Sequence, residues 1–291
     1  MDVYWLIQFI KMKATFKFFL IITVSFSSLN AQNLISEDNA NNDLIKGIGL
    51  LNKDLFDQSI IFFDKILNNP NYYSDNQIFW AYYYKGKANL YSTASKTDDF
   101  KYFIQKYQPH PTTEKARLEL ADYYFSKNKY ADANLVYSQI NTVGFKESDQ
   151  QKVIFRQGYG HFISKNFLTA LRFFDQLKLT QGDFYFDANY YLGLAHFFEG
   201  NYNLSIPPLR IAENKKTYQP FIPYYLTQIY FARKEYQFLI DYAIPVIESS
   251  NIKNLAEIRQ LLGQSFFELK DYINALPHLE YYAQEKRNLK E

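Results

Sequence analysis

The sequence contains no cysteine, and its 291 residues include only ten glycines and nine prolines. The lack of cysteine excludes disulfides, thiolate metal ligands, a cysteine nucleophile and a lipid-modified cysteine. The scarcity of glycine and proline excludes collagen-like and low-complexity architectures. The chain is instead rich in aromatic residues, with 27 tyrosines and 27 phenylalanines, and this composition is far too apolar for a disordered protein.

Signatures of catalysis are also missing. The sequence has no HExxH, GxSxG or phosphate-loop pattern, and its carboxylates form no obvious acid/base pair. The GYG segment at residues 158–160 lies inside a predicted helix, so it does not indicate a nucleotide-binding loop. We interpret His161 and His196 as packing residues, because they occupy the same place in the repeat described below. The sequence therefore predicts a protein that is not an enzyme and has no cofactor or metal site.

The amino terminus has the order of segments found in secretory signal peptides. Basic residues Lys13 and Lys17 precede a nine-residue, largely apolar run at 18–26, and the small residue Ala31 follows. This run is shorter than the ~20 residues that a membrane-spanning helix needs. We predict a signal peptide at 1–31, with Met12 as a candidate true start, and a short linker at 32–39. An uncleaved anchor is the alternative, since Leu29 is larger than cleavage sites prefer.

The formal charge of the chain is small, at +2. Removal of residues 1–31 takes away three lysines and one aspartate, which leaves a neutral domain. Apart from KRNLK at 286–290, no Lys/Arg cluster is longer than two residues. Because nucleic-acid binding needs a basic surface, we predict that the protein does not bind nucleic acid.

A three-residue skeleton recurs along the rest of the chain. It consists of a small residue, an aromatic residue nine positions later and a second small residue three positions after that. We number each repeat from its first small residue, place 0, so that the other two lie at places 9 and 12. Place 0 is occupied by Gly47, Ala121, Gly158, Gly193, Thr227 and Gly263, and a degenerate unit surrounds Gly86.

Each repeat is predicted to be a helix, a turn and a second helix. Apolar residues recur at spacings of three and four, as in Phe167, Leu171 and Phe174, and a polar dipeptide precedes place 9. A glycine in the middle of a helix costs about 1 kcal/mol relative to alanine. We therefore expect the second helix to approach place 0 closely, and the aromatic residue at place 9 to pack between neighbouring repeats.

These units resemble tetratricopeptide repeats, a family built on degenerate pairs of helices. The best match is YYLGLAHFFEGNYNLSIPPLRIA at 190–212, which has Gly193, Tyr202, Ser205 and Ala212 at signature places. The weakest unit, at 78–107, lacks the small and aromatic residues of the second helix. The resemblance implies an all-α, right-handed superhelical solenoid of about seven repeats over residues 40–291. Its last helix, with an apolar face at Leu276, Leu279 and Tyr282, is expected to continue in a longer array or to associate end to end.

The same resemblance implies a partner-binding groove, because the first helices of the family line the concave side of the superhelix. The predicted groove residues are Phe155, Tyr159, Phe162, Tyr190, Leu194, Phe197, Tyr224, Gln228, Phe231, Gln260, Gln264 and Phe267. A competing interpretation is that the aromatic residues among them only pack within the array.

The sequence therefore favours a non-enzymatic scaffold that binds a protein or peptide segment and no small-molecule cofactor. The signal segment and an Asn/Lys/Ile/Tyr/Phe-rich composition indicate export in a Gram-negative bacterium, to the periplasm or the inner face of the outer membrane. One alternative is an outer-membrane-associated carbohydrate-binding helical-repeat protein, although such proteins usually carry an anchor cysteine and long inserted loops. The other alternative is an array attached to a catalytic domain elsewhere.

Two adjacent prolines, Pro207 and Pro208, lie in the second helix of the best unit. If that helix begins near Asn203, Pro207 lies at the end of its first turn, where little hydrogen bonding is lost. Pro208 lies one residue further on, so we expect a bend or a loosened first turn at Leu204.

Overall fold

The structure is a computed structural model that describes residues 42–249 and 251–288, so the predicted signal peptide and linker lie outside the described residues. Within these two ranges the chain contains fourteen α-helices, one short 3₁₀ turn and no strand. The predicted fold class, an all-α array of helix–turn–helix repeats, is thereby confirmed. None of the helices in the described part is both long enough and apolar enough to cross a membrane.

The fourteen helices form seven consecutive pairs, and the 3₁₀ turn Pro70–Tyr72 follows the first pair. Helices that are adjacent in the chain pack against each other within each pair. The pairs are α1 (Asn42–Leu51) with α2 (Phe56–Asn68), α3 (Asp75–Tyr91) with α4 (Asp98–Tyr107), α5 (Pro111–Ser126) with α6 (Tyr130–Tyr137), α7 (Glu147–Ile163) with α8 (Phe167–Leu177), α9 (Tyr185–Phe198) with α10 (Tyr202–Ala212), α11 (Ile222–Ala232) with α12 (Tyr236–Ile247), and α13 (Leu255–Glu268) with α14 (Tyr272–Asn288).

The described part of the chain divides into two compact units, one that ends at Tyr107 and one that begins at Gln108. The first unit contains α1–α4, and its core includes Leu44, Phe63 and Ile66. The second unit contains α5–α14, and one continuous hydrophobic cluster runs through α7–α14.

The turn within a pair has the same backbone conformation in six of the seven pairs. Place 7 is left-handed in each, for example in Lys165 (φ 59°) and Gly200 (φ 75°). The N–H at place 8 donates to the carbonyl at place 3, as from Asn201 to His196 (2.8 Å). This is the Schellman-type closure of a helix, and it places the aromatic residue of place 9 at the first position of the second helix. The predicted polar turns are therefore confirmed.

Place 0 is the point of closest approach between the two helices of a pair. A Cβ atom on Gly193 would lie 2.6 Å from Leu209 Cγ, and one on Gly158 would lie 2.8 Å from Phe174 Cε1. The residue that contacts place 0 lies at place 16, a position that the repeat pattern of the sequence does not reveal. The hydroxyl of Ser205, at place 12, adds a hydrogen bond to the Gly193 carbonyl (2.7 Å). The predicted close approach is confirmed.

The degenerate unit keeps this contact with a different register. A Cβ atom on Gly86 would lie 3.0 Å from Phe100 Cα, although Phe100 follows Gly86 by fourteen positions instead of sixteen. The connection between α3 and α4 is correspondingly different, and its left-handed residue is Ser95. Phe100 therefore makes the contact that the place-16 side chain makes in the other units. This unit lacks the usual aromatic and small residues at places 9 and 12.

The aromatic residues at place 9 pack between neighbouring repeats, as predicted. Phe167 stacks on Phe198 of the next repeat, with ring centroids 5.0 Å apart. Tyr130 contacts Phe125 of its own repeat at 5.3 Å and Tyr159 of the next at 5.6 Å. These aromatic pairs contribute packing energy beyond the area that they bury.

The prolines of α10 lie deeper in the helix than expected. The helix begins at Tyr202, so Pro207 and Pro208 are its sixth and seventh residues and belong to its second turn. The helix remains helical at every residue from 202 to 212. The N–H groups of Leu204 and Ser205 both donate to the Asn201 carbonyl, at 3.0 and 3.1 Å. The first turn is thus tightened by a 3₁₀-type bond, so the loosened first turn, one of the two predicted alternatives beside a bend, is not found.

The last helix, α14, exposes part of its predicted apolar face. The side chain of Leu276 is 57% exposed, and that of Ile273 is 88% exposed. Leu279 instead packs against place 0 of its own repeat, where a Gly263 Cβ would lie 2.8 Å from Leu279 Cγ. Tyr282 is half-buried, so only Leu276 of the three predicted residues is exposed.

Substitution of Gly193 by alanine is expected to destabilise the protein by roughly 1–3 kcal/mol, because the new methyl group would overlap a fully buried leucine. Gly49 provides the matched control, since a Cβ atom there would meet no atom within 4 Å. Gly49→Ala should stabilise α1 by roughly 0.5–1 kcal/mol through helix propensity alone. Urea unfolding followed by circular dichroism measures both effects, and equal stability of the two variants would contradict the close-contact interpretation.

Candidate partner-binding surface

The twelve predicted groove residues occupy places −3, 1 and 4 of the first helices α7, α9, α11 and α13. Their spacing of four and three places them on one face of each helix. Their exposure differs along the chain, because most of them are buried in α7 and α9 and partly exposed in α11 and α13. The equivalent places therefore do not form one uniform surface.

Rings from the segments between repeats cover two of these residues. Phe184 stacks on Phe155 with centroids 4.9 Å apart, and Tyr218 stacks on Tyr190 at 4.0 Å. As a result, Phe155 is 7% exposed and Tyr190 is 8% exposed. Burial also raises the pKa of the Tyr190 hydroxyl well above its ordinary value.

Phe162 and Leu194 are buried by direct packing between repeats. The ring of Phe162 contacts Phe167 at 5.3 Å and Tyr191 of the next repeat at 5.1 Å. Each of the two residues is only 3% exposed. A buried side chain cannot present a surface to a partner. The predicted groove therefore does not include four of its residues: Phe155, Phe162, Tyr190 and Leu194.

Tyr159 and Phe197 are half-buried, and both take part in contacts between repeats. Tyr159 lies 5.5 Å from Phe125 and 5.1 Å from Tyr191, and burial raises the pKa of its hydroxyl. Phe197 lies edge to face with Tyr225 at 5.2 Å. These two residues mainly join neighbouring repeats and leave little free ring surface.

The remaining six predicted residues form a partly exposed strip on α11 and α13, two first helices that pack directly against each other. All six side chains are uncharged, and Phe267, at 55% exposure, is the most open. An ion pair between Glu257 and Lys286 (2.7 Å) lies beside Tyr224. We call this set the α11–α13 strip: Tyr224, Gln228, Phe231, Gln260, Gln264 and Phe267.

The aromatic residues between repeats were not recognised in the sequence, although they follow its spacing. Tyr73 and Phe184 lie at place 26, and Tyr218 lies at place 25. The hydroxyl of Tyr73 donates to Asp43 (2.7 Å), and that of Tyr218 donates to Asp187 (2.5 Å). A search for aromatic residues beyond the second helix would have identified these covering rings.

Partly buried charged groups contact one another, and tyrosine hydroxyls, between repeats. Asp122 accepts from Arg156 and from the Tyr137 hydroxyl, both at 2.6 Å. A similar cluster joins Arg210 with Glu213 and Tyr230. In the part of the chain that the structure describes, no group of His, Asp and Glu side chains has the geometry to hold a metal ion. The two charged clusters therefore connect neighbouring repeats.

The histidines at the repeat contacts pack as aromatic residues. His161 stacks on Phe173 with centroids 5.6 Å apart and 12° between the ring planes, and Phe266 stacks on His278 at 5.9 Å and 3°. Each pair joins places 3 and 15. The packing interpretation of His161 is therefore confirmed. Burial lowers the pKa of His161, His196 and His278, because it disfavours the charged imidazolium.

We expect the array to lose stability as the pH falls from about 7 to about 5. These histidines have a lower pKa in the folded state than in the unfolded chain, where it is about 6.5. Their contribution to the free energy of unfolding is therefore fully present above the unfolded pKa, and it is lost as the pH falls below that value. His161→Phe combined with His278→Phe should flatten the dependence of the urea midpoint on pH over this range. An unchanged dependence would show that these two rings do not couple protonation to folding.

Comparisons with known proteins identify the fold. No protein-family model and no curated protein matches the chain. The structure of MamA from AMB-1 has a TM-score of 0.53 at 13% identity, and the match covers 61% of this chain and 94% of that chain. A mutant MamA has a TM-score of 0.51 at 13% identity, covering 60% and 92%. A Podosopora anserina protein of nearly identical TPR-like repeats has a TM-score of 0.47 at 12% identity, covering 63% and 100%.

The two MamA similarities and the seven helix pairs agree on the fold. The described chain has a tetratricopeptide-type fold, in which first helix, turn and second helix repeat in the same register in six of the seven pairs. At such low identity the likeness concerns the fold alone.

Proposed function

We propose that this protein is a non-enzymatic scaffold that binds a protein or peptide segment on the α11–α13 strip. One observation carries the proposal. Of the four first helices predicted to line a groove, only α11 and α13 keep all three of their predicted places at least partly exposed. These two helices also pack directly against each other.

The chemistry of the strip indicates what kind of segment it binds. Phe231 and Phe267 offer apolar surface, and the amides of Gln228, Gln260 and Gln264 can both donate and accept hydrogen bonds. An extended or helical segment with apolar side chains and accessible backbone groups matches this combination. Because the strip carries no charge, salt should affect the binding only weakly.

A carbohydrate is the second candidate ligand. The observation that favours it is the exposed pair of Phe267 and Tyr272, whose rings lie 5.2 Å apart. Exposed aromatic rings can stack on sugar rings. The glutamines of the strip could hydrogen-bond hydroxyl groups as well as a peptide backbone, so the experiment must separate the two classes of ligand.

A photo-crosslinking residue at position 264 should capture a protein partner, whereas the same residue at position 176 should not. Gln176 is the matched control because it is an exposed glutamine on the second helix α8. Gln228→Arg with Gln264→Arg should weaken binding of the captured partner by about tenfold or more, which corresponds to ~1.4 kcal/mol. Gln176→Arg should leave the affinity unchanged.

Equal capture at positions 264 and 176 would argue against the strip. Binding of soluble glycans that is lost in the double arginine variant, without any captured protein, would instead support the carbohydrate alternative. Circular dichroism of each variant verifies that the helices remain folded.

We further propose that the protein is exported to the periplasm or to the inner face of the outer membrane of a Gram-negative bacterium. The support is the basic, apolar and small-residue order that ends at Ala31. Mass spectrometry of the protein isolated from cells should find an amino terminus at Gln32, and cell fractionation should recover it from the envelope. An amino terminus at Met1 or Met12 would contradict cleavage.

A further inference from the structure

Places 4, 9 and 13 of a repeat face the repeat that follows. Phe162 and Phe167, at places 4 and 9, contact Phe198 of the next first helix at 6.1 and 5.0 Å. Asn134, at place 13, donates from Nδ2 to the carbonyl of Gln157 in the next first helix (3.3 Å). These three places therefore belong to the surface of each repeat that contacts the following repeat.

The same three places are bare in the last described repeat. Phe267, Tyr272 and Leu276 are 55%, 56% and 57% exposed. In the five earlier repeats that share this register, every residue at places 4, 9 and 13 is buried or half-buried. We call the bare surface formed by Phe267, Tyr272 and Leu276 the α14 end face. Its three residues are therefore more exposed than the equivalent residues of those five repeats.

The opposite surface of a repeat is marked by place −2, which faces the preceding repeat. Tyr191 at this place contacts Phe162 of the preceding repeat at 5.1 Å, and Tyr225 contacts Phe197 at 5.2 Å. Place −2 is buried or half-buried in α3, α7, α9, α11 and α13. In α1 it is Ile45, which is 40% exposed.

We propose that two copies of the protein associate head to tail, with α1 of one copy packed on the α14 end face of the other. The interface would continue the contact that already joins successive repeats, since Ile45 would occupy the place of Tyr191 or Tyr225. Stability in such arrays is a sum of nearest-neighbour interfaces, so an added first helix stabilises both copies. Because the two surfaces differ, the contact does not close on itself and generates open chains.

Sedimentation equilibrium of the protein as isolated from cells tests this directly. The average mass should rise with concentration beyond that of two chains. Ile45→Glu and Leu276→Glu each place a charge in the interface and should reduce the protein to single chains at the same concentrations. Leu135→Glu is the matched control, because Leu135 is 63% exposed on α6 and lies at none of the interface places. This variant should associate like the unaltered protein.

A mixture of the two interface variants distinguishes head-to-tail association from a symmetric dimer. Each variant keeps one intact surface, so an equal mixture of Ile45→Glu and Leu276→Glu should form complexes of two chains and no larger species. A single-chain mass for the unaltered protein at all concentrations would overturn the proposal. So would association that Ile45→Glu leaves unchanged, or an equal mixture that forms no complex.

Discussion

The contact between place 0 of the first helix and place 16 of the second is the constraint on which the rest of the structure depends. At Gly193 the missing side chain lets Leu209 approach to a distance that a Cβ atom would not allow. This approach fixes how the two helices slide along each other, and the left-handed turn at place 7 supplies the matching connection. Once the helix contact and the turn are fixed, the other places have defined neighbours, either within the pair or in the next repeat.

The sequence predicts those parts of the structure that depend on residue size at a backbone contact. Small residues at places 0 and 12 and the aromatic residue at place 9 recur because few alternatives fit there. Place 16 cannot be recognised in the sequence, because its residue type varies between repeats. It is Phe63, Tyr137, Leu209 or Ala243 in four of them. These side chains differ in size, and each is adjusted to its own place 0, so the place has no composition that a search could find.

The exposure of the predicted groove could not be derived from places within one repeat. Phe155 and Tyr190 are covered by Phe184 and Tyr218, rings that lie more than twenty residues further along the chain. After α12 the corresponding residue is the aliphatic Ile252, and Tyr224 stays half-exposed. The exposure of place −3 in a first helix therefore depends on the segment that follows its second helix.

The α11–α13 strip and the α14 end face have a common physical origin. Each repeat buries its apolar residues on its neighbours, so places that no ring or helix of the described residues covers remain exposed. Phe267 belongs to both surfaces, because place 4 faces both the groove and the next repeat. A partner on the strip and a second copy on the end face would desolvate the same ring. Gln264 and Leu276 belong to one surface each, and substitutions at these two positions separate the two interactions.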